Sequence, residues 1–355
     1  MSNEIGLFKD LNSANIASFW TTQQLEQAPY LGEILFPATK QSTRLIEWYK
    51  GQTEAPKPQR PSAYGVQAIP ETRQGLESVQ TSTTFFKSSK YIDEDLAAQL
   101  ADLGGSNDPA RYRLVISNIM NDSAKQLANA SLTREIIRMQ MLLTGKYSFT
   151  GNGATAEDDY QMKSTHQGLA KGASWKESGS DPAYDIQNAI DIIGNDQGTT
   201  VNRLYMNTHT FRALLSNNQV KSTLLANNAN TAAVSLRRQD LLDYVLDEYG
   251  VNITIYDKFY QATSGLVRFI PDGKIIFAPE GQLGRTVFAP TPEERGLRMR
   301  AGVDVSLVDT AVAITAEQII DPVTVNTKVT QEFAPTYERI DDVFIFDAFN
   351  ATPKA

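Results

Sequence analysis

The longest unbroken amphipathic pattern in the chain runs from Asp108 to Gly145. Within it Tyr112, Val115, Ile116, Ile119, Leu127, Ile136, Ile137 and Met141 recur at helical spacing, with a polar gap at Asn121, Asp122 and Ser123. Asn107 or Asp108 can accept the free amide hydrogens of a first turn, Pro109 suits the first helical position, and no other proline or glycine follows until Gly145. The pattern predicts one helix over 108–145, a strut roughly 50 Å long with one side covered. Two shorter helices meeting near Asn129 to Ser131 are the competing reading, and the lack of a sustained heptad speaks against a coiled coil.

Before the strut, Ile16, Phe19, Trp20 and Leu25 give the polar arm 1–30 one short apolar face, which can dock on its own chain or on a neighbour, its own chain being favoured. Residues 31–50 read as a strand region, with Leu45, Ile46, Trp48 and Tyr49 suited to a pleated surface. Gly51 to Gly75 then carries four prolines and three glycines among polar residues, too little apolar surface to offset the entropy of ordering it alone. Thr81 to Tyr91 is extended again, so two strands flank a projecting β-rich loop, and Ile92, Leu96 and Leu100 predict a short helix leading to the strut.

Beyond the strut, 145–179 is glycine-rich and polar and reads as loop, anchored by Trp175. Asp181 and Pro182 open a helix closed by Gly194, Leu204 to Met206 form a short strand, and Asn207 or Thr208 caps a helix with Phe211, Leu214 and Leu215. Another helix runs from Ser235 to Gly250, and Val251, Ile253 and Ile255 alternate as a half-buried strand, so this part is a layered α/β domain. From Gly265 onward strands dominate: 266–270, 274–278, 303–307, 312–314, 323–329 and 343–346. Their return onto the strut would make the first domain discontinuous.

Composition narrows the function. The 355 residues are 41% hydrophobic and 21% charged, an ordinary globular balance, and no apolar run approaches the roughly 20 residues that span a membrane. Residues 1–30 lack the basic, apolar, small-residue pattern of a leader. With no cysteine, disulfides and thiolate chemistry are excluded, and stability falls to packing or assembly. A net charge of −8 argues against a surface that neutralises many phosphates, although an acidic wall can still enclose nucleic acid and let it slide.

Catalytic chemistry is thinly supplied. His166 and His209, the only histidines, read as surface or capping residues, and the pairs Asp158–Asp159, Glu293–Glu294 and Asp341–Asp342 as solvated surface. Gly145-Lys146-Tyr147-Ser148 fails as a phosphate loop because Gln140 stands where a glycine is needed and Tyr147 where Ser or Thr is. Arg295, Arg298 and Arg300, near Arg285, form the one basic concentration, suited to a neighbour's carboxylates, to phosphates or to solvent.

In order, the chain offers an arm, a Pro/Gly-rich projecting loop, a long helix, an inserted α/β domain and returning strands. Asp108-Pro109-Ala110-Arg111 opens the long helix, Gly145-Lys146-Tyr147-Ser148-Phe149-Thr150-Gly151 ends it, Asp181-Pro182 opens the next, and Phe269-Ile270-Pro271-Asp272-Gly273 precedes a strand. This arrangement resembles the major capsid proteins of tailed bacteriophages, specifically the lambda-type major capsid protein E family, over most of residues 31–346. The resemblance implies an α+β chain with the Hong Kong 97-like fold. Its parts would be the arm 1–30, a peripheral domain of 31–50, 85–180 and 288–355 carrying the spine helix 108–145, an extended loop 51–84 lying over an adjacent subunit, and an axial domain 181–287.

It also implies a non-enzymatic head protein with neither cofactor nor metal, assembling as pentamers and hexamers into an icosahedral shell around double-stranded DNA that it does not read by sequence. Its partners would be further copies of itself, a separate scaffolding protein, a portal and a decoration protein, assembled in the bacterial host cytoplasm without a membrane. Pro56, Pro58, Pro61 and Tyr64 in the loop, with Arg295, Arg298 and Arg300, are the candidate inter-subunit contacts. The alternatives are an encapsulin-like nanocompartment shell, a phage tail or adhesion component, and a hydrolase using Asp341 and Asp342.

Overall fold

The computed structural model describes residues 12–24, 28–50, 61–65, 67, 77–92, 95, 98, 102, 109–225, 236–296, 304–320 and 323–352. In chain order these form α1 (Ser13–Gln24), α2 (Leu31–Leu35), β1 (Ala38–Lys40), β2 (Leu45–Lys50), β3 (Glu77–Ser82), β4 (Thr84–Ile92) and the long α3 (Pro109–Thr144). There follow β5 (Lys146–Gly151), β6 (Ala154–Asp159), β7 (Gln167–Lys171), α4 (Pro182–Gln197), β8 (Arg203–Met206), α5 (Thr208–Ser216), α6 (Asn218–Leu225), α7 (Arg238–Tyr249) and β9 (Asn252–Ile255). The remainder is β10 (Phe259–Ala262), β11 (Gly265–Arg268), β12 (Lys274–Ala278), β13 (Arg285–Phe288), α8 (Pro292–Gly296), β14 (Asp304–Val308), β15 (Val312–Ile320), β16 (Val323–Thr336) and β17 (Phe344–Thr352).

Two compact units are built from interleaved pieces of chain: unit 1 from 1–47, 80–137 and 285–336, unit 2 from 48–79, 138–284 and 337–355. Residues 337–355, grouped with the spine helix in the sequence reading, fall in unit 2, because β17 pairs with β12.

In unit 1, strands from distant parts of the chain make one mixed sheet ordered β1-β13-β16-β15-β14, with β4 pairing the free side of β16. The long β16 is its keel, antiparallel to β15, to β13 and to β4. Ile16 and Trp20 of α1 join Ile119, Met120 and Leu127 of α3 against Val312, Ile314, Val325 and Val329 of the sheet. The arm therefore docks on its own chain, and Ser13 fixes it there by donating its hydroxyl to Asp304 Oδ1 at 2.7 Å. Leu25 lies outside the described residues, as does most of the helix expected around Leu96 and Leu100.

The helix α3 runs without a break through Asn129 to Ser131. Helix-neutral residues there are held by side chains: Arg134 Nη2 donates to Ser131 Oγ at 2.8 Å, and Gln331 Nε2 donates to the Ala130 carbonyl at 3.1 Å. Gly145 ends the helix as expected, its N–H bonding the Met141 carbonyl at 2.8 Å.

In unit 2 the sheet order is β7-β17-β12-β8-β9, parallel at its two outer pairs and antiparallel within. Ile186, Ala189 and Ile193 of α4, Phe211 and Leu214 of α5, and Leu241 and Val245 of α7 cover its core with Trp175 and Phe346. The caps at Asp181 and Asn207 accept from Tyr184 N and Thr210 N as the sequence predicts.

Several expectations are corrected. Residues 31–35 are a short helix and not strand. The stretch after Gly145 is not loop: β5 and β6 pair across Asn152 and Gly153, both at positive φ, and β7 joins the sheet of unit 2. An Asn-Gly pair between alternating residues is a hairpin signal, masked in this sequence by polar outward positions such as Ser148, Thr150 and Glu157. Gly194 does not close α4, which runs to Gln197 and ends at Gly198 in the left-handed region. The helix expected from Ser235, which is outside the described residues, is described from Arg238.

Gly145 has φ +70°, and a Cβ there would lie 2.5 Å from Met162 Cβ. Gly145→Ala combines backbone strain with a clash, and is expected to destabilise the protein by about 2 kcal/mol or more, read as a lowered thermal midpoint.

Candidate assembly surface

For a chain whose sequence points to self-assembly, the functional surface is whatever projects, together with what aims it. The segment 48–79 leaves unit 1 after Glu47 and re-enters it at Gln80. Its root is built by three residues far apart in sequence. Glu332 on β16, 1% exposed, accepts at one oxygen from both Arg44 Nε and Thr83 Oγ1, the latter at 2.9 Å. Thr83 also donates its backbone N–H to the Arg44 carbonyl at 2.9 Å. Three residues further along each limb, Gln80 Nε2 donates to Glu47 Oε1 at 2.9 Å.

Two further buried charges sit side by side on α3. Arg134 donates to Gln331 Oε1 at 2.7 Å and to Asp309 Oδ2 at 3.0 Å, while Glu135 accepts from the Gly32 N–H at 3.0 Å. Together they tie the spine to β16, to the β14–β15 turn and to α2. None of Glu332, Arg134, Glu135, Arg44 and Thr83 was singled out by sequence reasoning. The available signal was a charged pair running directly into apolar residues, as Arg134 and Glu135 do before Ile136 and Ile137; Glu332, in a polar run, carries no such signal.

Of the expected contact residues, Pro61 and Tyr64 are exposed, Tyr64 fully, and belong to unit 2, whereas Arg295 belongs to unit 1. Pro56, Pro58, Arg298 and Arg300 lie outside the described residues. Arg295 ends α8 and stays exposed, its Nε donating to the Pro290 carbonyl at 3.1 Å. Its neighbours are engaged within unit 1: Glu293 pairs with Lys328 at 2.8 Å, and Glu294 with Lys40 at 2.7 Å. The helix therefore presents an arginine outward and keeps its carboxylates at home.

Asp341 and Asp342, expected as solvated surface, are instead drawn into the protein. Asp342 is 2% exposed, accepting from Arg339 Nε at 2.6 Å and from Thr199 Oγ1 at 3.0 Å, and Asp341 lies 3.8 Å from Lys163. His166, expected at the surface, is fully buried with Nε2 2.8 Å from Asp196 Oδ2, and His209 Nδ1 lies 2.9 Å from Asp272. His166 and Asp342 are drawn inward where α4 packs against the segments that carry them, whereas the His209–Asp272 pair stays exposed. Among the described residues no group of three or more His, Asp or Glu is placed to hold a metal ion, and no helix is long and apolar enough to cross a membrane.

A family model described as phage major capsid protein E matches residues 12–301. The chain belongs to the phage major capsid protein E family. Among solved structures this capsid protein is similar to the putative capsid protein of a prophage of E. coli CFT073, at 16% identity over 95% of this chain and 99% of that one, with a TM-score of 0.58. It is also similar to a phage-related protein from Bordetella bronchiseptica RB50, at 13% identity over 95% and 97% with a TM-score of 0.54. The mature capsid of bacteriophage PhiM1 matches at 10% identity over 93% and 89%, with a TM-score of 0.50. At these identities the likeness establishes the α+β capsid fold, and the family establishes a structural head-shell role. None of the curated proteins matches.

Two predictions test the buried charges. Arg134→Met strands Gln331 and Asp309 and is expected to cost about 3 kcal/mol in denaturant unfolding, far more than a surface arginine. The second concerns acid. Lys163 and Gln197 hold Asp196 well below the usual carboxylate range; Glu293 and Asp347 are lowered too, since Lys328 on the first, and Asn350 and Lys274 on the second, outweigh the opposing effect of burial. A depressed folded value means that stability is fully present above about pH 5 and is lost as the pH falls through the folded values. The thermal midpoint should therefore fall steadily below about pH 4, and a midpoint flat to pH 2 contradicts the assignment.

Proposed function

We propose that this capsid protein assembles as pentamers and hexamers into a closed icosahedral shell around double-stranded DNA, with the loop 51–84 of each copy lying over an adjacent one. The observation that carries this is Tyr64, an aromatic ring in full contact with water, within the run 61–65 that is exposed throughout. Solvated singly, such residues are ordinary; grouped in one exposed run they mark a surface that another chain covers. Tyrosine is also the residue type that concentrates binding energy at interfaces.

In this reading 31–50, 85–180 and 288–355, with the spine helix, serve as the peripheral domain and 181–287 as the axial domain, although the compact units divide the chain differently, with 138–180 and 337–355 in unit 2. Pro56, Pro58, Pro61 and Tyr64 meet one neighbour through the loop, and Arg295, Arg298 and Arg300 meet carboxylates of another. A net charge of −8 suits a wall that encloses DNA without gripping it. Copies of itself are joined by a separate scaffolding protein, a portal and a decoration protein as partners in the host cytoplasm, and the chain carries out no catalysis.

Expression of the chain alone and with a candidate scaffolding protein, read by electron microscopy, tests this. Closed shells or capsomer plates are the expected result; monodisperse monomers in both cases overturn it. Tyr64→Ala should leave the subunit's thermal midpoint unchanged while lowering shell yield about tenfold, the effect of losing an interface anchor worth about 1.4 kcal/mol.

A further inference from the structure

Within unit 1, Trp20 of α1, Pro29 and Tyr30 before α2, Glu33 of α2, and Ala128 and Ser131 of α3 line a cavity of about 200 Å³. That is the space of roughly seven waters, room for one aromatic ring and little more. Its wall has one polar flaw. Trp20 is 4% exposed and packs with Ile16 in the core of the unit, yet its Nε1–H finds no acceptor among the described residues. A buried indole N–H ordinarily has a partner, and one left without it is costly. Glu33 lines the same cavity from an exposed position, with a carboxylate that accepts and does not donate. The group that would complete this site is therefore a flat, largely apolar ring with a hydroxyl, able to accept from Trp20 and donate to Glu33. A phenol meets both demands.

The chain carries one phenol that nothing of its own covers. Tyr64 is solvated over its whole surface, so it enters no cavity of its own copy. The other exposed tyrosines are held where they are: Tyr49 and Tyr91 stand in the paired strands β2 and β4, and Tyr184 lies under Lys171 Nζ at 4.0 Å from the ring centroid. Leu114 and Leu266, also strongly exposed, have no side-chain oxygen to offer the indole. We propose that Tyr64 of one copy docks in the Trp20 cavity of a second, its ring against Tyr30 and Ala128, its hydroxyl accepting from Trp20 Nε1 and donating to Glu33. The inference rests on reading the run 61–65 as an inter-subunit contact, and it names the surface that receives it.

Because the chain has no cysteine, introduced thiols report on one pair of sites alone. Ala63→Cys, beside Tyr64, and Ala28→Cys, at the rim of the cavity, are both at exposed positions; they are placed on separate full-length chains, co-assembled with the candidate scaffolding protein, and the purified particles are oxidised. Any disulfide between them then joins two copies. Peptide mapping is expected to find the 63–28 link about tenfold above the 63–88 link formed when Ser88→Cys, exposed on β4, replaces Ala28→Cys. Ala128→Leu, which fills the cavity from a helical position, should leave the thermal midpoint of the unassembled subunit unchanged while lowering the 63–28 link and the shell yield about tenfold. A link no commoner than the control, or Ala128→Leu particles at the parent yield, overturns the proposal. If Ala128→Leu lowers the midpoint, Glu33→Ala at its exposed position decides: the link should fall about threefold, and an unchanged link overturns the docking. A chain that forms no particles at all overturns the assembly reading and this docking with it, whereas particles without the link overturn the docking alone.

Discussion

A charge sealed from water has to find its partners inside the protein, and unit 1 is arranged around three of them. Arg134, Glu135 and Glu332 lie on two elements, the spine helix and the long strand β16, and each reaches to a segment remote in sequence: Asp309 and Gln331, Gly32, Arg44 and Thr83. Apolar packing alone would hold the sheet against the helix with some freedom to slide. A buried ion pair or charge-assisted bond tolerates little displacement, because a small shift leaves a desolvated charge without its partner. The cost in stability is returned as definition of position, which a shell subunit needs at every joint.

That constraint explains how a discontinuous unit holds together. Its sheet gathers strands from 38–40, 84–92, 285–288 and 304–336, so no local stretch can form it alone. The sequence pattern exposed the spine helix because a proline, a long run free of glycine and a stop at Gly145 act locally. It exposed α4, α5 and β12 for the same reason, through caps and periodicity. The family resemblance supplied the order of the parts, which no periodicity contains.

What could not be read was decided by tertiary contact. Leu31 to Leu35 has strand-like composition, yet coils into a helix that presents the Gly32 N–H to Glu135. The β5–β6 hairpin is polar outside, and its burial comes from Tyr147, Tyr160, Trp48 and Tyr337 meeting across long sequence separations. The root at Glu332 was invisible for a related reason: a glutamate, an arginine and a threonine spread over almost three hundred residues carry no pattern until the strands place them together. Of the expected contact candidates, Pro61, Tyr64 and Arg295 are exposed, while the cluster of Glu332, Arg44 and Thr83 could not be read from the sequence.

The central claim is that the projecting segment is completed by a second copy of the chain while the spine is complete within one. Hydrogen–deuterium exchange compared between unassembled subunits and purified particles measures both at once. Residues 61–67 should exchange freely in the subunit and become protected in particles, with the spine around Arg134 to Leu142 slow in both. Residues 61–67 exchanging equally fast in intact particles would contradict the account, since Tyr64, the most exposed large apolar side chain among the described residues, would then have no neighbour covering it.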